Sequence, residues 1–314
     1  MAAVKAIFMA AVILASEASD HHPPPRRMNP DELVIATSRQ LAPLLQRTAS
    51  RLEQERSALK VSVVAVGSDI AMAELYTRQA DLAVIGRPAT DPEIKAFQWI
   101  YQYPPKSWPV LRGSVAAAGH SPAIRLLVNT ANPIRKISLQ QLELAYRGSQ
   151  KVHWRDLGVT GPLSKLAVHP IMPDSEQGTG RFIRDAFFKG ATLFAWDRVK
   201  EVSEPLHRGA VDTFGLRIAR AVAHDPQAIA FSSGNPVAGT RVVPFTCTDI
   251  PSALVCDNKG ALERLIYAYS DADLRPGARE FLLMLAGSKG RSAIKIAPYR
   301  KLPDNEGREL SGSR

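Results

Sequence analysis

The sequence predicts an α/β fold of two lobes joined by a hinge, with mostly parallel sheets. Short apolar runs that resemble strands alternate with segments of helical periodicity along most of the chain, and this alternation is typical of parallel sheets covered by helices. The chain has 314 residues, which is long enough for two domains of ordinary size. Because small-molecule sites favour domain interfaces, we expect the functional site in the cleft between the lobes.

The predicted strands are short runs of apolar and β-branched residues. They cover residues 33–37, 61–66, 82–85, 124–129, 228–232, 242–245 and 265–269. The predicted helices carry apolar residues at intervals of three and four. They cover residues 41–55, 70–78, 139–146, 181–188, 211–223, part of 261–265, and 277–286. Ser138 and Gln141 form a capping box that marks the start of the helix at residue 139.

Two proline-containing segments, residues 103–109 and 232–236, are candidate linkers between the lobes. A chain that crosses twice between lobes has one discontinuous and one continuous lobe. The predicted organisation is therefore lobe 1 over residues 31–108 and 234–303, lobe 2 over residues 109–233, and a polar tail over residues 304–314.

The N-terminus has the features of a secretory signal. Lys5 precedes an apolar stretch over residues 6–15, and residues 16–18 (Ser-Glu-Ala) fit a small-x-small cleavage site. Ten apolar residues are too few to cross a bilayer. We predict a signal peptide over residues 1–18, export to the periplasm, and a proline-rich linker over residues 19–30; an uncleaved anchor is the alternative.

The two cysteines, Cys247 and Cys256, are nine positions apart. Disulfides persist in exported proteins. A metal site is not expected here, because no histidine lies near either cysteine in the sequence. We predict a disulfide between them, with two buried free thiols as the alternative.

Three segments place small polar residues at the start of a predicted helix. They are Ser38 and Gln40 before the first helix, Gly67-Ser68-Asp69 before the second, and the loop at residues 174–180 (DSEQGTG) before a later one. A helix start offers free backbone N–H groups at the positive end of the helix dipole, and this combination favours an anion. The sequence therefore predicts an anion-binding cleft, and a binding role instead of bond-making chemistry.

Several segments, taken in order, resemble the periplasmic phosphate-binding proteins of ABC importers, within the type II periplasmic binding fold. They include residues 67–69, the asparagine-proline turn at residues 129–133 (NTANP), the stretch at residues 153–158 (HWRDLG), and residues 177–182 (QGTGRF). The resemblance covers most of residues 31–303. It implies two lobes, a ligand between them, and closure of the lobes on that ligand.

The resemblance also implies which residues line the anion site: Ser38, Gln40, Ser68, Arg87, Gln177, Gly178, Thr179, Gly180 and Arg181. Three of these depart from the family pattern. Gln40 replaces a threonine or serine, Arg87 stands where phosphate-specific members have an aspartate, and Gln177 replaces a serine. The arginine that the family places upstream of the third loop is also absent here.

Arg87 has two interpretations. If its side chain faces the cleft, it can pair bidentately with an oxyanion that carries no proton, which would admit sulfate, a phosphate ester or a carboxylate as well as phosphate. If it faces away, its role is structural.

The expected function is capture of a small oxyanion, phosphate first, by a monomer that delivers it to an ABC permease without cofactor, metal or catalysis. No Gly-x-Ser-x-Gly, His-Glu-x-x-His or Walker motif occurs in the sequence. The main alternative is a periplasmic sensor or interaction protein that kept the fold and lost tight anion binding. The net charge of +10 is compatible with nucleic-acid binding, but the basic residues are scattered, so we expect no nucleic-acid partner.

Overall fold

The computed structural model describes residues 29–113, 124–148, 150–175, 178–188, 195, 197–203, 213–246, 248, 254–256, 262–272, 274–286 and 299–300. The predicted signal peptide, nearly all of the predicted linker and the polar tail lie outside these residues. Within them, no helix is both long enough and apolar enough to cross a membrane.

The described residues contain twelve strands: β1 (Glu32–Thr37), β2 (Lys60–Ala65), β3 (Leu82–Ile85), β4 (Lys106–Gly113), β5 (Arg125–Asn129), β6 (His169–Pro173), β7 (Lys200–Val202), β8 (Ala228–Ser232), β9 (Thr240–Val243), β10 (Leu254–Cys256), β11 (Leu262–Ser270) and β12 (Tyr299–Arg300). They also contain seven α-helices: α1 (Ala42–Glu55), α2 (Ser68–Tyr76), α3 (Asp91–Tyr101), α4 (Leu139–Arg147), α5 (Gly178–Phe188), α6 (Thr213–Ala223) and α7 (Pro276–Ala286).

These strands form two separate sheets, one in each lobe. The first has the order β12-β4-β11-β3-β1-β2, with β10 paired to β11, and the second has the order β7-β6-β8-β5-β9. Within the first, β1 is parallel to β2 and β3, whereas β11 is antiparallel to both β3 and β4. Within the second, β6 is parallel to β7 and β8, whereas β5 is antiparallel to β8 and β9.

The sheets are therefore mixed, and the prediction of mostly parallel strands is corrected on this point. Parallel neighbours need a crossover connection, usually a helix. Helices α1 and α2 connect the strands β1, β2 and β3, and α5 connects β6 to β7. Each antiparallel pair includes β4, β5 or β11, and the chain passes between the sheets after β4 and again between β9 and β10.

The two passages between the sheets lie later in the chain than the predicted boundaries. Strand β4 continues across the predicted boundary at residues 108 and 109, and β9 belongs to the second sheet although its residues were expected in the first lobe. The segment at residues 103–109 looked like a linker because of its prolines. Pro109 is accommodated in β4 because the register between β4 and β11 shifts between Ile266 and Tyr267, and irregularities of this kind tolerate proline.

The first sheet is covered by helices on both faces. One core cluster joins the sheet to α1 and α7, through residues such as Leu45 and Phe281. The other joins it to α2 and α3, through Met72 and Phe97. All four side chains are fully or almost fully buried, and burial of each contributes roughly 1.5–3 kcal/mol relative to exposure.

The second sheet has its own core. One of its clusters contains Trp154 and a group of aromatic rings in which Phe187 and Phe231 lie 5.0 Å apart between centroids. A further cluster joins the sheet to α6. The first of these clusters also includes Leu254 of β10 and Leu262 of β11, next to the passages between the sheets. The predicted fold of two α/β lobes is confirmed.

Some predicted elements differ from the observed ones. Residues 261–265 were expected to be partly helical but lie mainly in strand β11. The neighbouring charged residues Glu263 and Arg264 are both buried there. Helix α3 was missed, although Thr90 and Glu93 form a complete capping box at its start. Cys256 is disulfide-bonded. Cys247 lies outside the described residues, so its pairing with Cys256 stays a prediction.

Candidate functional site

Arg87 lies just beyond the end of β3 and is almost completely buried, with 1% of its surface exposed. Its Nη2 atom donates to Asp69 Oδ1 at 2.5 Å and to Glu93 Oε1 at 2.6 Å, and its Nη1 atom donates to Glu93 Oε2 at 2.8 Å. The guanidinium thus forms a bidentate pair with one carboxylate and a single bond with another. The Nη groups of Arg87 thus bind protein carboxylates, which agrees with the second sequence interpretation, a structural role.

The pKa values of this pair follow from its burial and its charges. Burial by itself would lower the pKa of Arg87, but the hydrogen bonds and charges of Glu93 and Asp69 outweigh it and raise the pKa above the ordinary value. Burial would likewise raise the pKa of Glu93, but the hydrogen bonds and charge of Arg87 outweigh it and lower that pKa. Both groups are therefore charged at neutral pH.

The start of α3 fixes Glu93 in this position. Glu93 accepts hydrogen bonds from the Thr90 backbone N–H at 2.7 Å and from the Thr90 hydroxyl at 3.0 Å, while the Thr90 hydroxyl accepts from the Glu93 N–H at 3.4 Å. The same carboxylate therefore caps a helix and anchors a buried arginine.

Asp69 connects this cluster to the other lobe. It lies in the first turn of α2, and its Oδ1 atom is 3.4 Å from Arg181 Nη1 in the first turns of α5. This contact brings together the starts of two of the three predicted anion-binding helices.

Arg264 makes a second connection between the lobes. It lies on β11 with 3% of its surface exposed, and its Nη1 atom donates to Thr179 Oγ1 of α5 at 3.4 Å. Its guanidinium also lies over the ring of Phe182, 5.2 Å from the centroid. Burial, with a smaller contribution from the charge of Arg87, lowers the pKa of Arg264 to about 10.

The sequence did not single out Arg264. The signal was an arginine in the middle of an otherwise apolar strand, where a charged side chain is rarely buried without a partner. That signal was masked because the segment containing Glu263 and Arg264 was assigned partly to a helix.

Tyr299 links the start of α1 to the surroundings of Arg264. The Tyr299 hydroxyl donates to the backbone carbonyl of Gln40 at 3.0 Å. Burial raises the pKa of Tyr299, and the positive charge of Arg264 opposes this shift. The carbonyl of Ser38 accepts from the N–H groups of Leu41 and Ala42, each at 3.1 Å. The side chains of Ser38 and Gln40 are half-buried.

Helix capping differs among the first four α-helices. Helices α3 and α4 begin with complete capping boxes, Thr90 with Glu93 and Ser138 with Gln141. Helices α1 and α2 have no side-chain cap, and Gly67 precedes α2 with a φ of 97°. A helix start that lacks a side-chain acceptor retains the partial positive charge that favours an external anion.

The third predicted helix start, α5, contains residues with different roles. Gly178 begins the helix, and Thr179 and Arg181 make the contacts between lobes given above. Gly180 has a packing role, because a Cβ atom there would lie 2.0 Å from the Asp174 carbonyl oxygen. Gln177 lies outside the described residues. Ser68 is the first residue of α2 and is half-buried.

The cluster between the lobes carries more positive than negative charge. Three arginines (Arg87, Arg181 and Arg264) face two carboxylates (Asp69 and Glu93). Among the described residues, no group of three or more histidine, cysteine or acidic side chains could hold a metal ion.

Fold and contacts together define a two-lobe α/β protein with a cluster of arginines and carboxylates between its sheets. The chain belongs to the PBP superfamily domain family, whose sequence model matches residues 20–247.

Named relatives agree with this family. The chain is 26% identical over 283 residues to the phosphate-binding protein PstS of Pseudomonas aeruginosa, covering 84% of this chain and 80% of the relative. Its fold is similar to that of an ABC-type phosphate transport receptor from Vibrio cholerae, with a TM-score of 0.63 and 19% identity over 86% of this chain and 100% of the other. PstS from Borrelia burgdorferi gives a TM-score of 0.57 and 17% identity over 87% and 99% of the two chains. The predicted family and its type II two-lobe fold are confirmed.

Proposed function

We propose that this protein is a periplasmic solute-binding protein that captures a small oxyanion, phosphate first, in the cleft between its lobes. The observation that carries the proposal is that Arg181 and Arg264 join the two lobes at the starts of α2 and α5, and that α2 has no side-chain cap. Buried positive charge and a helix N-terminus without a side-chain cap both favour a bound anion.

The relatives support phosphate as the ligand and an ABC permease as the recipient. The curated relative is named as a phosphate-binding protein, and one structural relative is an ABC-type phosphate transport receptor. Both are binding or transport proteins by name, which also supports a function without catalysis and a location in the periplasm. They give no support to the alternative of a sensor that has lost anion binding.

In the proposed mechanism the anion reaches groups from both lobes. Ser68 and the first-turn N–H groups of α2 donate from the first lobe, as does Arg264. Thr179 and Arg181 donate from the second, together with the backbone of Gly178. Because these donors belong to different lobes, a bound anion would stabilise the closed arrangement.

The test is calorimetric titration of the protein lacking residues 1–18 with phosphate, sulfate and glycerol phosphate, together with thermal melting. We expect measurable heat with phosphate and a rise in melting temperature, since a ligand at 100 times its dissociation constant adds about 2.7 kcal/mol to stability. Absence of both effects for all three anions would contradict the proposal.

A further inference from the structure

The carboxylate of Asp69 occupies a position where it contacts the cationic groups of the cleft. We propose that Asp69 is a resident counter-ion that competes with the incoming anion for Arg181, and so lowers the affinity of the cleft for every oxyanion. This inference rests on the proposed function, and it assigns to Asp69 the adjustment of binding strength.

The two contacts of Asp69 differ in strength. The distance from its Oδ1 atom is 2.5 Å to Arg87 but 3.4 Å to Arg181. Arg87 is in turn held bidentately by Glu93. Asp69 is therefore fixed firmly on its own lobe and bound more loosely to the other, so the contact with Arg181 is the one that a ligand would replace.

Exposure supports the same conclusion. The Arg87 side chain is 2% exposed, whereas those of Arg181 and Asp69 are 23% and 35% exposed. A small anion can therefore approach Arg181 and Asp69 from solvent, but not the Arg87 guanidinium. On approach it meets both an attractive arginine and a repelling carboxylate.

Competition also has a structural consequence for the empty protein. Asp69 belongs to the first lobe and Arg181 to the second, so their pair holds the lobes together when no ligand is bound. An anion that binds Arg181 would exchange this pair for its own contacts, and part of its binding free energy would be used to displace Asp69.

The test compares the wild type with Asp69→Asn, which keeps the shape and the acceptor of Asp69 but removes its charge. Asp91→Asn is the matched control, because Asp91 is an exposed carboxylate in the first turn of α3. Each protein is titrated with phosphate and with sulfate, and its radius of gyration is measured without ligand by small-angle scattering. Asp69→Ser serves as the second variant if the asparagine variant does not fold.

The inference predicts that Asp69→Asn binds both anions about tenfold more tightly and has a larger radius of gyration without ligand, while Asp91→Asn matches the wild type. Unchanged binding in the variant would overturn it. Weaker phosphate binding would also overturn it, because Asp69 would then be a direct ligand contact. These results contradict the inference alone, whereas absence of heat with all proteins and both anions would contradict the proposed function as well.

Discussion

Arg264 Nη1 lies 3.4 Å from Thr179 Oγ1, and this hydrogen bond joins a strand of the first lobe to the first turn of a helix in the second. An arginine that is 3% exposed has lost nearly all of its hydration. Burial of this kind is costly unless the charge finds a partner. A bound oxyanion would add a negative charge beside the contacts that Arg264 already makes with Thr179 and Phe182, and this gives the first prediction.

Replacing Arg264 with glutamine should reduce phosphate affinity by at least tenfold. Glutamine can still donate to Thr179, but it lacks the positive charge. Calorimetry and melting of the variant provide the check, with the exposed Arg155→Gln as control. Equal affinity in the Arg264 variant and the control would exclude Arg264 from the site.

The hydroxyl of Thr179 can be tested separately. Thr179→Val keeps the shape of the side chain but removes the acceptor for Arg264, whereas Thr179→Ser keeps the hydroxyl. Loss of a partner for a buried donor costs about 1–3 kcal/mol. We expect the valine variant to be less stable in urea unfolding and to bind phosphate more weakly, and the serine variant to resemble the wild type. Similar behaviour of the two variants would argue against this hydrogen bond.

Glu93 should make stability depend on pH in the acid range. Its pKa is lowered by folding, so its ionised form stabilises the native state above the ordinary value of 4.5, and this contribution is lost as the pH falls through the lowered value. Glu93→Gln should reduce the free energy of unfolding by about 1–3 kcal/mol at pH 7.

The measurement is urea unfolding of both proteins between pH 7 and pH 3. The difference between the wild type and Glu93→Gln should shrink below about pH 4.5. Asp91→Asn, in the same first turn but exposed, provides the control. A difference that stays constant over this range would show that the ion pair with Arg87 is not its source.

Gly180 should be intolerant of any side chain. An alanine Cβ would lie 2.0 Å from the Asp174 carbonyl oxygen and 2.6 Å from that of Pro173, so α5 would have to move away from β6. We expect Gly180→Ala to lose about 2 kcal/mol or more of stability. Gly86→Ala is the comparison, since its nearest neighbours would be atoms of Arg264 at 3.8 Å. Equal stability of the two variants in thermal melting would contradict the close approach.

Local patterns in the sequence predicted much of the fold. The capping box of Ser138 and Gln141 is present as expected, and the strand at residues 228–232 has the predicted bounds. Strand β4 was missed because its proline suggested a linker, and nothing local indicated the register shift opposite Pro109. Whether a proline-containing segment forms a strand depends on its pairing with strands that are distant in sequence.

The site was predictable only in part. The helix starts at Ser68 and Thr179 follow from local turn chemistry. The ion-pair partners of the arginines do not follow from local sequence. Arg87 pairs with Glu93, six positions away, whereas Arg181 contacts Asp69 of the other lobe. Contacts of that second kind depend on how two lobes meet, which short sequence patterns do not encode.

A crystal structure of the protein grown with phosphate would test the central claim most directly. We predict one phosphate between the lobes, with its oxygens within hydrogen-bond distance of Arg181, Arg264 and the start of α2. A cleft in which Asp69 still contacts Arg181 at saturating phosphate, with the anion bound elsewhere or absent, would contradict it.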